Sequence, residues 1–272
     1  MNSKSLELAN GITLEYVEQG AAAGTPLVCL HGYTDSLHSF STVFPHLPPT
    51  IQAVAVSLRG HGRSDRPPGG YRPADMAADI SLFLEHLGIE AAIILGHSLG
   101  ATVAQRFALD FPRKTKALIL VASFAAYTGN ATIDEMRAPV AALTDPVDPA
   151  FAEAFQRSTL ARPVDEPFLQ KAVSETLLLP ARVWKAVFEG MASEDYTKEL
   201  PRLHLPAWLL WGSEDRIVTR NDQHRLLESL AGAQLVVFEG VGHAVHWEVP
   251  QRFAREVVAI VEKVRLGGTL NQ

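Results

Sequence analysis

Apolar residues follow two rhythms along the chain. Short runs of valine, isoleucine and leucine, bounded by glycine, proline or asparagine, alternate with longer segments whose apolar positions recur at helical spacing. The short runs predict strands at residues 5–9, 12–18, 26–31, 51–57, 91–96, 117–122, 207–211 and 234–238. Helical spacing predicts crossovers at 73–87, 98–111, 220–230 and 250–265. Strands that are apolar on both sides and separated by helices describe a mostly parallel eight-stranded sheet flanked by helices, an α/β fold. The first two strands are joined by Asn10-Gly11, a dipeptide suited to a tight primed hairpin turn.

The alternation fails once. Between residues 124 and 205 helical patterns at 151–160, 167–177 and 180–191 follow one another, divided by proline-containing turns, and no strand intervenes. The reading is a core domain of residues 1–123 and 206–272 interrupted by a helical insertion at 124–205. The closing residues 266–272 are expected to fray.

Composition narrows the field. With 272 residues, 47% of them hydrophobic, one sizeable core can form. The balance of 24 basic and 30 acidic side chains gives a net charge of −6, so nucleic acid is not an expected partner. No apolar run approaches the roughly 20 residues of a membrane span, and the first residues lack the pattern of a secretory leader. A soluble, cytoplasmic protein is expected. The single cysteine, Cys29, rules out an internal disulfide and a cysteine-based metal cluster, and its apolar neighbours predict a buried strand thiol. Neither a metal nor a cofactor is expected. Asn130-Ala131-Thr132 forms a glycosylation sequon that carries little meaning without a secretory leader.

One segment carries chemistry. In "IILGHSLGATVAQ", residues 93–105, an apolar strand runs into Gly96-His97-Ser98-Leu99-Gly100 and then into a helix. A tight strand-to-helix turn strains its central residue, and glycines two positions away remove the side chains that would collide there. Ser98 would then stand clear above the sheet with a helix N-terminus beneath it. A serine that merely caps the helix fits the same segment, so partners elsewhere must decide. A nucleophilic serine needs a base and a group that orients the base. His243, in a glycine-flanked loop after the last strand, suits the base better than His246, which lies nearer the final helix. Glu214 and Asp215 both follow the strand at 207–211, and either carboxylate could orient an imidazole.

Four separated motifs resemble those of the α/β-hydrolase superfamily, in order: "LHGYTDS" at 30–36, "SLRGHGRSDRP" at 57–67, "GHSLG" at 96–100, and "WGSEDRIV" with "GVGHAVHWEVP" near the end. The resemblance implies the α/β-hydrolase fold with a helical cap at 124–205. It selects Asp215, on which the Gly-x-x-Asp motif ends, and implies the chain order Ser98, Asp215, His243. It also implies an oxyanion hole built from the backbone N–H groups of Tyr33 and Leu99. Ser57 stands where the family usually has aspartate, and Arg59, His61 and Arg63 are read as supporting the fold. Relatives of this fold that act on alkyl carbons place aspartate at the elbow, so Ser98 points to acyl transfer.

These features predict a serine esterase that needs no cofactor and cleaves carboxylic esters of small-to-medium hydrophobic substrates, its partner being a small-molecule ester or lactone. A lactonase or carbon–carbon bond hydrolase is the alternative on the same residues, and a slow-turnover ligand receptor is the alternative outside catalysis. Six side chains are candidates for the pocket: His31, Phe124, Phe155, Trp184, Phe188 and Met191. The oligomeric state is left open.

Overall fold

The computed structural model describes residues 2–269. Eight strands form one sheet: β1 (Lys4–Glu7), β2 (Thr13–Gln19), β3 (Thr25–Leu30), β4 (Ile51–Ser57), β5 (Ala92–His97), β6 (Thr115–Val121), β7 (Ala207–Gly212) and β8 (Gln234–Phe238). Their spatial order is β1-β2-β4-β3-β5-β6-β7-β8. β1 and β2 pair antiparallel, β2 meets β4 antiparallel, and every pairing from β4 to β8 is parallel. All eight expected strands are present, each within two residues of its predicted ends.

The central strands read as unbroken apolar runs because both faces are covered. Val28, Leu30, Val54, Val56 and Ile94 point to one face, where α1 (Pro73–His86) and α2 (Leu99–Asp110) pack through Met76, Ile80, Phe83, Val103 and Phe107. Leu27, Cys29, Ala53, Ala55, Ile93 and Leu95 point to the other, where α9 (Pro250–Thr269) supplies Phe253, Val257 and Ile260. Cys29 is buried, as its neighbours imply, and burial holds its thiol protonated.

Two local expectations are corrected. Leu8 N–H donates to Ile12 C=O at 2.8 Å and Gly11 N–H to Leu8 C=O at 2.9 Å, so the first hairpin has a three-residue loop rather than a two-residue primed turn. Gly11, at φ 79°, supplies the left-handed residue that such a loop requires. At the other end, helix α9 continues to Thr269 instead of fraying from 266, and residues 270–272 lie outside the described ones.

Between β6 and β7 the chain forms four helices: α3 (Ala131–Ala142), α4 (Pro149–Ser158), α5 (Glu166–Thr176) and α6 (Ala181–Ala192). Proline in the first turn and an aspartate cap start two of them. Asp148 accepts from Ala150 N–H before α4, and Asp165 from Phe168 N–H before α5. α3 was not expected, because Pro139 interrupts it and only Ile133 and Val140 are buried, which blurs its periodicity. Asn130 of the sequon caps α3 by accepting Ile133 N–H at 3.0 Å, and its amide donates to Ile217 C=O at 2.9 Å. The two ends of this segment meet, with Tyr196 N–H donating to Ala125 C=O at 2.9 Å and Tyr127 N–H to Glu194 C=O at 3.3 Å. Between β7 and α9 lie α7 (Arg220–Ser229) and the short α8 (Val245–Glu248). Among the described residues no helix is long and apolar enough to cross a membrane.

Candidate active site

β5 ends at His97 and α2 begins at Leu99, leaving Ser98 alone to make the turn. Its backbone sits at φ 51°, ψ −114°, a strained region for a residue with a side chain, where about 1–3 kcal/mol is stored. The surroundings enforce it. Ser98 N–H donates to Val121 C=O of β6 at 2.9 Å, and Ser98 C=O accepts from Ala101 N–H and Thr102 N–H. A Cβ on Gly96 would lie 2.1 Å from Gly100 O, and one on Gly100 would lie 2.2 Å from Leu30 O, so both positions exclude any side chain. Ser98 opens into a cavity that His243 also lines.

His243 follows β8 in a loop held from two directions. Its N–H and that of Ala244 donate to Thr159 C=O, which ends α4, at 2.9 and 3.2 Å. Beneath it β7 comes so close that a Cβ on Gly212 would meet Gly242 O at 2.2 Å. This approach carries Asp215, at the end of β7, to the imidazole: His243 Nδ1 lies 2.9 Å from Asp215 Oδ2, with both side chains buried. The carboxylate accepts, so Nδ1 carries the hydrogen and Nε2 keeps its lone pair. Asp215 Oδ1 accepts from Ile217 N–H and Val218 N–H at 2.8 and 2.9 Å, which fixes the carboxylate. Glu214 is exposed to solvent. His246 is also set aside by its surroundings. Its Nε2 lies 2.8 Å from Ser39 Oγ, and burial pushes its pKa down to about 3.

Tyr33 lines the cavity on the loop after β3, where Asp35 N–H closes a turn onto Gly32 C=O and Thr34 adopts φ 67°. Leu99 N–H opens α2 and belongs to the first turn, whose amides have no partner within a helix.

Of the six pocket candidates, Phe155 and Met191 line this cavity. The other four do not, and are corrected here. His31 is fully buried, with Nδ1 donating to Gly32 C=O and Nε2 accepting Leu58 N–H, so it ties the ends of β3 and β4 together. Phe124 packs on Tyr127 with ring centroids 4.5 Å apart. Trp184 and Phe188 stand behind Tyr33, whose hydroxyl donates to Trp184 C=O at 2.8 Å. Apolar stripes on helices chiefly feed the core, and these rings follow that habit. In their place the cavity is lined by Ile133 and Met136 of α3, Gln156 and Thr159, Ile217, Trp247, and the polar pair Asp35 and His97. Asp35 was visible only as part of "HGYTDS"; Gln156 carried no sequence signal.

The second motif also finds its role. Arg59 forms a two-pronged ion pair with Asp79 of α1, Nε to Oδ2 at 2.6 Å and an Nη to Oδ1 at 2.5 Å, while Ser57 Oγ donates to Glu15 at 3.2 Å. Burial lowers the pKa of His61 to about 4, and the Arg63 side chain is exposed.

A family model described as "alpha/beta hydrolase fold" matches residues 25–250, a span that holds all four motifs. The chain belongs to the α/β-hydrolase fold family. Like this α/β-hydrolase, 3-oxoadipate enol-lactonase 2 of Acinetobacter baylyi carries related sequence along nearly its whole length: 27% identity over 256 residues, 94% of this chain and 95% of the relative. Among solved structures, an esterase, RhEst1, from Rhodococcus sp. superposes with TM-score 0.87 at 26% identity, covering 97% of this chain and 100% of the other. A hydrolase from Pseudomonas aeruginosa gives TM-score 0.85 at 27% identity, covering 95% and 97%. Among the described residues of this α/β-hydrolase, no group of three or more His, Cys, Asp or Glu is arranged to hold a metal ion.

Proposed function

We propose that this α/β-hydrolase is a serine esterase, acting through Ser98, His243 and Asp215 on carboxylic esters of small-to-medium hydrophobic substrates. The hydrogen bond from His243 to Asp215, beside a strained serine in the same cavity, is the observation that carries the reading. Ser98 Oγ attacks the ester carbonyl while His243 Nε2 takes its proton. Asp215 holds the tautomer that leaves Nε2 free and stabilises the imidazolium. The backbone N–H groups of Tyr33 and Leu99 receive the oxyanion, each donor being worth about 3 kcal/mol in such a site. The protonated His243 then gives its proton to the departing alcohol, and the same imidazole activates the water that releases the acid. Catalytic hydrogen bonds in ligand-free sites often tighten only with substrate, and Ser98 Oγ to His243 Nε2 is the one expected to do so.

Residues 124–205 act in this reading as a cap on a core of 1–123 and 206–272. Phe155, Met191, Ile133 and Met136 line the cavity from that segment and exclude water from the acyl-enzyme. The similarity to a lactonase supports lactones as a second substrate type, since a lactone is an internal ester and needs no further residue.

Hydrolysis of p-nitrophenyl esters of increasing acyl length, with δ-lactones alongside, tests the reading. Ser98→Ala should lower the rate by at least about 10⁴-fold with the fold intact, and the chain-length optimum should match the cavity. Equal, feeble rates for both proteins would overturn it and favour a binding role.

A further inference from the structure

The cavity lining contains two chemically different sets of residues. Ile133, Met136, Met191 and Ile217 give the lining apolar surface, while Gly32, Asp35, His97 and Gln156 form a polar cluster within it. The esterase mechanism uses none of Asp35, His97 or Gln156.

Their hydrogen bonds are incomplete. His97 Nε2 lies 3.2 Å from the carbonyl oxygen of His243, which can only accept, so Nε2 carries the hydrogen and Nδ1 is a bare acceptor. Among the described residues Nδ1 has no hydrogen-bond partner although the ring is buried. Asp35 is equally buried. Its Oδ1 accepts Gln156 Nε2 at 3.0 Å, whereas Oδ2 has a long contact from Ser39 Oγ at 3.4 Å, a hydroxyl that lies closer to His246 Nε2, and the backbone N–H of Gly32 also acts weakly on the carboxylate. Oδ2 faces His97 Nδ1 across 4.0 Å. With Asp35 ionised both atoms are acceptors and do not bond each other, but one donor atom about 2.8 Å from each bridges them. Gly32 keeps the gap from being filled, since a Cβ there would stand 2.7 Å from Nδ1 and 3.1 Å from Oδ2.

We propose that Asp35 Oδ2 and His97 Nδ1 form a subsite that takes a hydrogen-bond donor on the substrate, a hydroxyl or a protonated amine, and so selects donor-bearing esters over plain or anionic ones. The inference rests on the esterase reading for its choice of ligand. Among the described residues no lysine or arginine lines the cavity, so a substrate carboxylate would meet Asp35 without a counter-ion. Burial pushes the Asp35 carboxyl up to about 7, with His97 and His243 as its titratable neighbours. His97 itself is held neutral by burial, so the cation that would pair with an ionised Asp35 has to come from the ligand.

The test is titration calorimetry of the full chain carrying Ser98→Ala, which prevents turnover, with methyl hexanoate, methyl 6-hydroxyhexanoate, methyl 6-aminohexanoate and monomethyl adipate. The hydroxy and amino esters should bind about tenfold more tightly than methyl hexanoate, and the adipate monoester more weakly. Adding Asp35→Asn, which can keep the Gln156 contact, should abolish the amino ester's advantage. Equal affinity across the four, tighter binding of the adipate, or an unchanged advantage in Asp35→Asn overturns the subsite. If that variant does not fold, the order of the four dissociation constants decides by itself. Hydrolysis of the same esters by the unmodified protein reads the other proposal separately. If none is cleaved, the esterase reading fails while the dissociation constants still judge the subsite.

Discussion

Gly100 lies so close to Leu30 that a Cβ added to the glycine would stand 2.2 Å from the leucine carbonyl oxygen. The first turn of α2 therefore rests directly on the end of β3, and that contact sets the height of Ser98 above the sheet. Backbone oxygen cannot move aside as a side chain can, so Gly100→Ala should destabilise the protein by about 2–4 kcal/mol in urea unfolding. Gly69, with nothing within 4 Å of its built Cβ and no positive φ, is the control. Its alanine variant should stay within about 0.5 kcal/mol of the parent. Similar losses for both would remove the packing argument.

Asp215→Asn keeps an oxygen for the Ile217 and Val218 amides but no longer enforces the His243 tautomer. We expect kcat to fall by about 10³- to 10⁴-fold with little change in melting temperature. Glu214→Gln should leave the rate near the parent's, because that side chain is solvated. Steady-state kinetics on one p-nitrophenyl ester compares the two.

Gln156 clamps the loop after β3 to the helices above it. Its Nε2 lies 2.7 Å from Thr176 Oγ1, 3.0 Å from Asp35 Oδ1 and 3.3 Å from Thr34 Oγ1, and Thr176 Oγ1 donates to Thr34 C=O at 3.3 Å. Thr34 is β-branched at φ 67°, a conformation that needs such restraint. Gln156→Leu should lower kcat about tenfold by loosening the adjacent Tyr33 amide. Thr34→Gly, which accepts that φ without strain, should blunt the effect, giving a coupling of about 1 kcal/mol in a double-mutant cycle. Additive losses in kcat would show that the clamp does not act through Thr34.

Acid should unfold this protein through its histidines. Burial depresses His31 and His97 well below the usual imidazole range, His61 to about 4 and His246 to about 3. A group with a folded pKa below its unfolded value favours the folded state above the unfolded pKa. That contribution is lost as pH falls from about 6.5 toward the folded value, at up to about 1.4 kcal/mol per pH unit for each group. Asp35 works the other way. Its raised pKa makes the folded state the stronger proton binder between the ordinary carboxylate range and about 7, which offsets one histidine. Urea midpoints should be nearly level above pH 7 and fall steeply between pH 6 and 4. A midpoint that is flat over that interval would contradict neutral burial of these rings.

Much of the architecture could be read along the chain. Strands apolar on both faces, helices started by proline and an aspartate cap, and glycines flanking Ser98 are local consequences of local residues, so β5, the elbow and α2 were legible from residues 91–111 alone. α3 was not, because Pro139 breaks its pattern and a helix with two buried residues leaves a faint periodic trace. Loop position favoured His243 over His246, but the choice of Asp215 over Glu214 was legible only through resemblance to a family. It is the approach of β7 to the loop after β8 that brings one carboxylate to one imidazole. Tertiary structure alone decided the pocket. An aromatic residue on an amphipathic helix is apolar whether it faces a cavity or the core, so the sequence marks Trp184 and Phe155 alike; both pack edge-on against Tyr33, and Phe155 but not Trp184 lines the cavity. Sequence determined which elements form and which chemistry the elbow can hold, because those depend on neighbours a few residues away. Tertiary structure determined which distant side chains share the cavity, because contacts between Gly32, His97, Gln156 and His243 exist only once separate elements have packed.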